Sequence, residues 1–299
     1  MKQEAFPIEQ PKPARARARL RLFVLLAALL ALVLAFGIFA FLRQDMVYRM
    51  RVRMRSWTAN VQLEKAGVET TAISPEDLLA DERCVWDQSL LLVNGEHPLP
   101  EGFGAEITPY KDTDVLMNAC MQDAYASLSA EVRERFGQAL YVRSAYRTAE
   151  EQQEELETDG ELAAPIGASE HQTGLAVDVY LPYYAGMAIL KTEAGRWIND
   201  HAWEYGFIVR YPSYGTAETG FPFEPWHLRY VGKPHAEIMA QGCLTLEEYI
   251  PMLAPGVFYR YGDYLISRQQ GDTLSVPETF RSVTVSEDNT GGWILTFFV

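Results

Sequence analysis

The chain has 299 residues, 48% of them hydrophobic, enough to bury a substantial core in one main domain with attachments. Its net charge of -14 is unevenly spread: residues 1–55 hold eleven Lys and Arg against three acids, leaving 15 basic and 37 acidic side chains beyond. So acidic a body argues against a nucleic-acid partner, which needs basic patches for phosphate, and reads as a solvated surface.

Residues 22–42, LFVLLAALLALVLAFGIFAFL, form an uncharged apolar run. As a helix it is about 31 Å long, the thickness of a bilayer core, so a transmembrane anchor is predicted. Residues 1–21 then form a basic cytoplasmic tail. Five arginines also follow the run (Arg43, Arg49, Arg51, Arg53 and Arg55), so the positive-inside rule alone does not set the orientation. The large acidic body sets it instead, giving an N-inside, C-outside membrane protein. The alternative is a cleaved signal peptide, but the run is long for one and no A-x-A site follows.

Residues 43–83 are read as a juxtamembrane linker. Within it, MVYRMRVRMRS alternates with period two, either as an extended segment or as a basic strip against anionic headgroups. SPEDL signals a helix start at Ser74.

From residue 84 the texture becomes globular, and residues 84–254 read as the main domain. SLLLVN (89–94) is predicted as a strand and HPLPEG (97–102) as a loop fixed by two prolines. A helix is predicted over 112–137, a buried strand at ALYVRSAYR (139–147) and an acidic helix from TAEEQQEELE (148–157). GLAVDVYLP (174–182) reads as a strand, EAGRWINDHAWEYGF (193–207) as an amphipathic helix and IVRYP as a following strand. Residues 255–299 read as a small accessory β unit ending in a hairpin around Asn289-Thr290-Gly291-Gly292. The whole suggests α+β with a mainly antiparallel sheet.

The chemistry concentrates in two stretches. GASEHQTGLAVDVY (167–180) sets His171 and Asp178 seven apart in an apolar run, where a carboxylate needs a positive partner: an arginine, a hydrogen-bond network or a metal ion. Period-two alternation places Asp178 on the face opposite Leu175, Val177 and Val179. FPFEPWHLRY (221–230) holds Glu224 three residues before His227, across a stiffening proline. Two histidines and an aspartate make a three-ligand zinc site with an open position for water, and a nearby glutamate suits a general base.

Together SEHQTGLAVD and EPWHLRYVG, preceded by SAYRTAEEQ and LLLVNGEHPLP, closely resemble the VanY-type zinc D-alanyl-D-alanine carboxypeptidases over roughly residues 84–250. The resemblance implies Zn2+ on His171, Asp178 and His227, with Glu224 as catalytic base. It puts the family's arginine at Arg147, for the oxyanion or the substrate's terminal carboxylate, and assigns Gln152 and Ser169 to the substrate site. The implied substrate is a peptidoglycan stem peptide ending in D-Ala-D-Ala. Rival readings are a D-Ala-D-Ala dipeptidase or an endopeptidase of the same fold, or a non-catalytic wall-binding module.

Other residues receive plainer readings. His201 is structural or exposed, His97 lies in a loop, and His235 caps or solvates a helix start. Trp226 buttresses His227, and Arg210 is read as structural rather than paired with an acid near the site. Cys84, Cys120 and Cys243 are spaced for one disulfide or none. Every candidate catalytic residue lies before 230, so residues 255–299 are expected to be dispensable for chemistry.

Overall fold

The structure, a computed structural model, describes residues 13–159 and 163–299; the first twelve residues of the expected basic tail lie outside these. Two compact units result, Met1–Val47 and Tyr48–Val299. The first is dominated by helix α1 (Pro13–Leu42). Its segment Arg17–Leu42 is long and apolar enough to cross a membrane, and its length and composition suit a membrane span or a signal sequence.

Helix α2 (Gln44–Ser56) replaces the extended segment that the period-two pattern had suggested. Arginine and methionine are good helix formers, and the helix satisfies its own backbone where a lone strand would not. Tyr48 and Val52, one turn apart, join the main core. Strands β1 (Glu64–Lys65) and β2 (Thr70–Ile73) follow. Helix α3 (Pro75–Leu79) starts where SPEDL signals, with the Ser74 hydroxyl accepting the Asp77 amide and a proline in the first turn.

Strand β3 (Cys84–Trp86) leads to SLLLVN, which is buried but forms no strand. Its backbone is satisfied by side chains instead: the Arg229 guanidinium donates to the Ser89 and Leu91 carbonyls at 3.1 and 2.8 Å. Strands β4 (Ile107–Pro109) and β5 (Leu116–Asn118) pair with each other, so the helix expected from 112 begins only later, as α4 (Gln122–Phe136). Asn118 ends β5 and caps the 3-10 turn that precedes α4.

Strand β6 (Tyr141–Ser144), helix α5 (Ala149–Asp159), β7 (Ala176–Tyr180), α6 (Glu193–His201), β8 (Phe207–Val209), α7 (Thr216–Thr219) and β9 (His227–Tyr230) follow. The four strands form one antiparallel sheet in the order β6-β7-β9-β8. Val177, Val179 and Leu228 point into a core shared with Tyr125, Leu128 and Val132 of α4 and Ile198 of α6. The opposite face of β7 and β9 is left for Asp178 and His227.

Helices α8 (His235–Gly242) and α9 (Leu246–Met252) lead into β10 (Phe258–Tyr261), β11 (Tyr264–Gln269), β12 (Leu274–Pro277), β13 (Ser282–Glu287) and β14 (Trp293–Phe298). The last two make the expected hairpin. The tail is not an appendage, however. Linker strand β1 pairs with β10, β3 pairs in parallel with β13, and β2 pairs with β12. Tyr259, Ile266 and Ile294 share a core with Ile238 and Met239 of α8, Ile250 of α9, Ile208 of β8 and Val231 just after β9. Residues 255–299 were expected to be dispensable for chemistry as long as the core still folds, and removing them would open this core to water.

Candidate metal centre

Antiparallel pairing sets Asp178 directly opposite His227 across β7 and β9. On the other side of β7, Asp178 faces Ser144 beside an irregularity in β6. His171 arrives from a 3-10 turn, Glu170–Thr173, which ends at Gly174 in the left-handed conformation with φ 67°. A Cβ at Gly174 would lie 2.8 Å from the Asn118 amide nitrogen, so glycine alone lets the turn fold back against β5 and enter β7.

One ligand atom each from His171, Asp178 and His227 falls within 4.8 Å of the others. His171 Nε2 is 3.5 Å from Asp178 Oδ2, and His227 Nδ1 is 3.2 Å from Asp178 Oδ1. The two imidazoles stand nearly edge to face, centroids 5.0 Å apart. The carbonyl of Ala145 can only accept, so His171 Nδ1 donates to it at 2.7 Å and Nε2 keeps its lone pair for a metal.

The Asp178 carboxylate lies buried between the two imidazoles. Burial pushes the His171 imidazolium down to about 4, against the pull of Asp178, so this ring is neutral. Burial also opposes charge on His227, but the carboxylates of Asp178 and Glu170, one beside each ring nitrogen, win and hold it up at about 9. Asp178 is desolvated yet kept below its usual range by His171, then His227. Asp178 Oδ1 and His227 Nε2 are buried without a hydrogen-bond partner among the described residues. The cluster has the donor set of a zinc site and fits a divalent cation.

Glu224 reaches the same space from the loop before β9, its Oε2 3.8 Å from His227 Nδ1. Desolvation raises its carboxyl to about 6, with Asp178 adding to the effect and His227 opposing it. Arg147 lies just beyond β6 and is held on two sides. It donates to Gln152 Oε1 at 2.9 Å and to Ser144 Oγ at 3.1 Å. Gln152 is fully buried, and its amide nitrogen is spent on the Ala164 carbonyl at 2.7 Å. Ser169 is buried at the head of the His171 turn and lines the cavity.

That cavity, about 1020 Å³, is bordered by all seven of these residues and by Trp226. Its lining runs from α5 to the strands β6, β7 and β9.

Glu170 is the participant that sequence reasoning missed, and it corrects the structural reading of Arg210. Its carboxylate is fully buried, and Oε1 accepts from Arg210 Nε and from the Arg229 guanidinium, both at 2.6 Å. Arg210 in turn clamps Glu247 of α9 through two hydrogen bonds, at 2.9 and 2.6 Å. Burial works against the Glu170 charge, but Arg210 and then Arg229 hold its carboxyl well below the usual range. The signal available in sequence was a charged residue beside His171 with two arginines in buried strands.

His235 is not at a solvated cap. It is buried between the Tyr249 hydroxyl at 2.6 Å and Thr296 Oγ1 at 2.8 Å. His201 pairs with Glu204 and stacks on Trp197. All three cysteines are free.

Comparison with known proteins agrees with the motif resemblance. Residues 114–233 match the family model described as VanY, D-alanyl-D-alanine carboxypeptidase. A D-alanyl-D-alanine carboxypeptidase of Enterococcus faecium is 31% identical over 298 residues, spanning 90% of this chain and 94% of the relative. Among solved structures, a vancomycin-resistance D,D-dipeptidase, VanXYg, in complex with a D-Ala-D-Ala phosphinate analogue has the same fold. Its TM-score is 0.60 at 24% identity, covering 78% of this chain and 100% of that one. A VanY D,D-pentapeptidase mutant in complex with Zn(II) is 33% identical over 55% of this chain and 99% of that one, with a TM-score of 0.48. The chain is a hydrolytic peptidase and belongs to the VanY family of D-alanyl-D-alanine carboxypeptidases.

Proposed function

We propose that this protein is a zinc D,D-carboxypeptidase that removes the terminal D-alanine from peptidoglycan stem peptides at the outer face of the membrane. The observation that carries the substrate assignment is the cavity. At about 1020 Å³ it stands at the top of the ~300–1,000 Å³ range of small-molecule pockets. A free dipeptide would leave much of it empty, whereas a longer peptide can lay its preceding residues along α5.

His171 Nε2, an Asp178 oxygen and His227 Nδ1 would hold the ion. Bound there, zinc supplies Lewis-acid chemistry, bringing the pKa of a water towards 7 and polarising the scissile carbonyl. Glu224 takes the proton of the attacking water and passes it to the leaving amine. Partial burial makes its carboxylate a stronger base than a solvated one.

Arg147 offers its remaining N–H groups to anionic oxygen on the substrate, the terminal carboxylate or the tetrahedral oxyanion. Gln152 serves that role indirectly by fixing the guanidinium, and Ser169 lines the wall beside the first ligand. Glu170 orients His227 from behind. Residues 84–254 form the peptidase domain, and residues 22–42 anchor it on the side where peptidoglycan lies. Residues 255–299 brace the domain.

Digesting a stem pentapeptide and free D-Ala-D-Ala side by side, with the products weighed by mass spectrometry, tests this. One D-alanine released from the pentapeptide, with the dipeptide untouched, is the expected result. Cleavage of the dipeptide alone would overturn the substrate assignment.

A further inference from the structure

Helix α2 and the turn that follows it present two unlike faces along Tyr48–Trp57, and only one of them is used by the protein. On the used face, the Tyr48 hydroxyl donates to Asp200 Oδ1 at 3.0 Å and Arg51 donates to Asp200 Oδ2 at 2.5 Å. One turn on, Val52 packs against the core, and Arg55 donates to the Ala240 carbonyl at 2.9 Å. These contacts fix the rotation of the helix about its axis.

The opposite face therefore points away from the body. It carries Met50, Met54 and Trp57, spaced four and three apart, with exposures of 56%, 53% and 76%. Arg53 lies among them, exposed and without an ion pair among the described residues. Two outward methionines on an arginine-rich helix, and a tryptophan in the turn that ends it, have no solvent-side reason to be there, since the used face already accounts for the fold.

We propose that this face rests on the surface of an anionic bilayer, Trp57 and the methionines entering the headgroup–acyl boundary and Arg53 meeting lipid phosphates. The proposal rests on the reading of residues 22–42 as an anchor. Tyr48 follows Leu42 by six residues, so covalent continuity keeps the helix near the membrane surface. Its chemistry fits that partner: tryptophan favours the interface, and a juxtamembrane arginine gains from negative headgroups. The rest of the body opposes such contact, because residues 56–299 carry a net charge of -22. The arginine-bearing helix face is thus the part of the body suited to lipid. Bound there, it would fix the orientation of the peptidase relative to the membrane.

The full chain is reconstituted into vesicles of phosphatidylcholine alone or mixed with phosphatidylglycerol, some carrying brominated acyl chains that quench nearby tryptophan. Flotation reports anchoring, and emission reports docking. In the anionic vesicles, bromine should quench a component of emission that Trp57→Phe abolishes. Arg53→Glu should diminish the same component, and neutral vesicles should give less of it. A chain that does not float overturns the anchor and the docking together. A chain that floats, yet is quenched equally with and without Trp57, overturns the docking alone. A face that serves a protein partner in place of lipid would give that second result.

Discussion

Glu170 Oε2 and His227 Nε2 face each other across 3.7 Å, and neither atom has a hydrogen-bond partner among the described residues. The imidazole presents its other nitrogen to Asp178, so the glutamate stands behind the histidine as seen from the ligand cluster. Arg210 and Arg229 fix that carboxylate, and Glu247 fixes Arg210, which ties the centre to α9.

Glu170→Gln should therefore act on the metal as well as on the fold. Outer partners of a ligating histidine typically change metal affinity about 10–100-fold, and a loss in that range is expected. Leaving the Arg229 guanidinium buried without its anion, with Arg210 held by Glu247 alone, should also destabilise by about 3–5 kcal/mol. Competition with a zinc chelator, beside a urea midpoint, measures both. Unchanged metal affinity in a folded variant would remove Glu170 from the centre.

Gln152 and Arg147 should behave as one unit. Arg147→Ala is expected to lower kcat/KM strongly, and Gln152→Ala to do so less, by releasing the guanidinium from its fixed place. The double variant should be no worse than Arg147→Ala alone. Additive losses would mean that Gln152 has its own contact with the substrate.

His235 sets an acid limit on stability. Burial lowers its folded-state value to about 3, well under the ordinary imidazole, so the folded form keeps it neutral. Its contribution is fully present above about pH 6.5 and is lost as the pH falls from there towards 3, because only the unfolded chain takes up the proton. At pH 5 that loss is about 2 kcal/mol. His235→Gln should start less stable at pH 7 but lose less on going to pH 5, as read from urea midpoints at both. An equal fall in the two proteins would contradict the assignment.

Truncation after Ala254 removes Tyr259, Ile266 and Ile294 from the core beneath α8 and α9, and also Thr296 from His235. A chain ending there should melt far lower or fail to fold, rather than turn over normally. Circular dichroism melting of the shortened and full chains decides this, and near-equal midpoints would make the tail an appendage after all.

Much of the centre was legible because it is local. His171, Asp178, Glu224 and His227 sit in two short stretches, and the alternation around Asp178 correctly separated its face from Val177 and Val179. What sequence could not reveal is long-range. Glu170 received no reading of its own, because its partners lie 40 and 59 residues away. β1 and β2 are too short to announce themselves, and their partners lie about two hundred residues on. α2 misled through its pattern: alternating arginines imitate a strand, while the decisive contacts come from Asp200 and Ala240, far along the chain.

The division of labour between ligands and base is the central claim, and metal content measured beside D-alanine release tests it most directly. Replacing His171, Asp178 or His227 with alanine should lower bound zinc together with turnover. Glu224→Ala should keep the zinc while turnover falls by about 10²–10⁴-fold, as for a lost general acid–base. Loss of zinc from Glu224→Ala as complete as from His227→Ala would make the glutamate a ligand and contradict the mechanism.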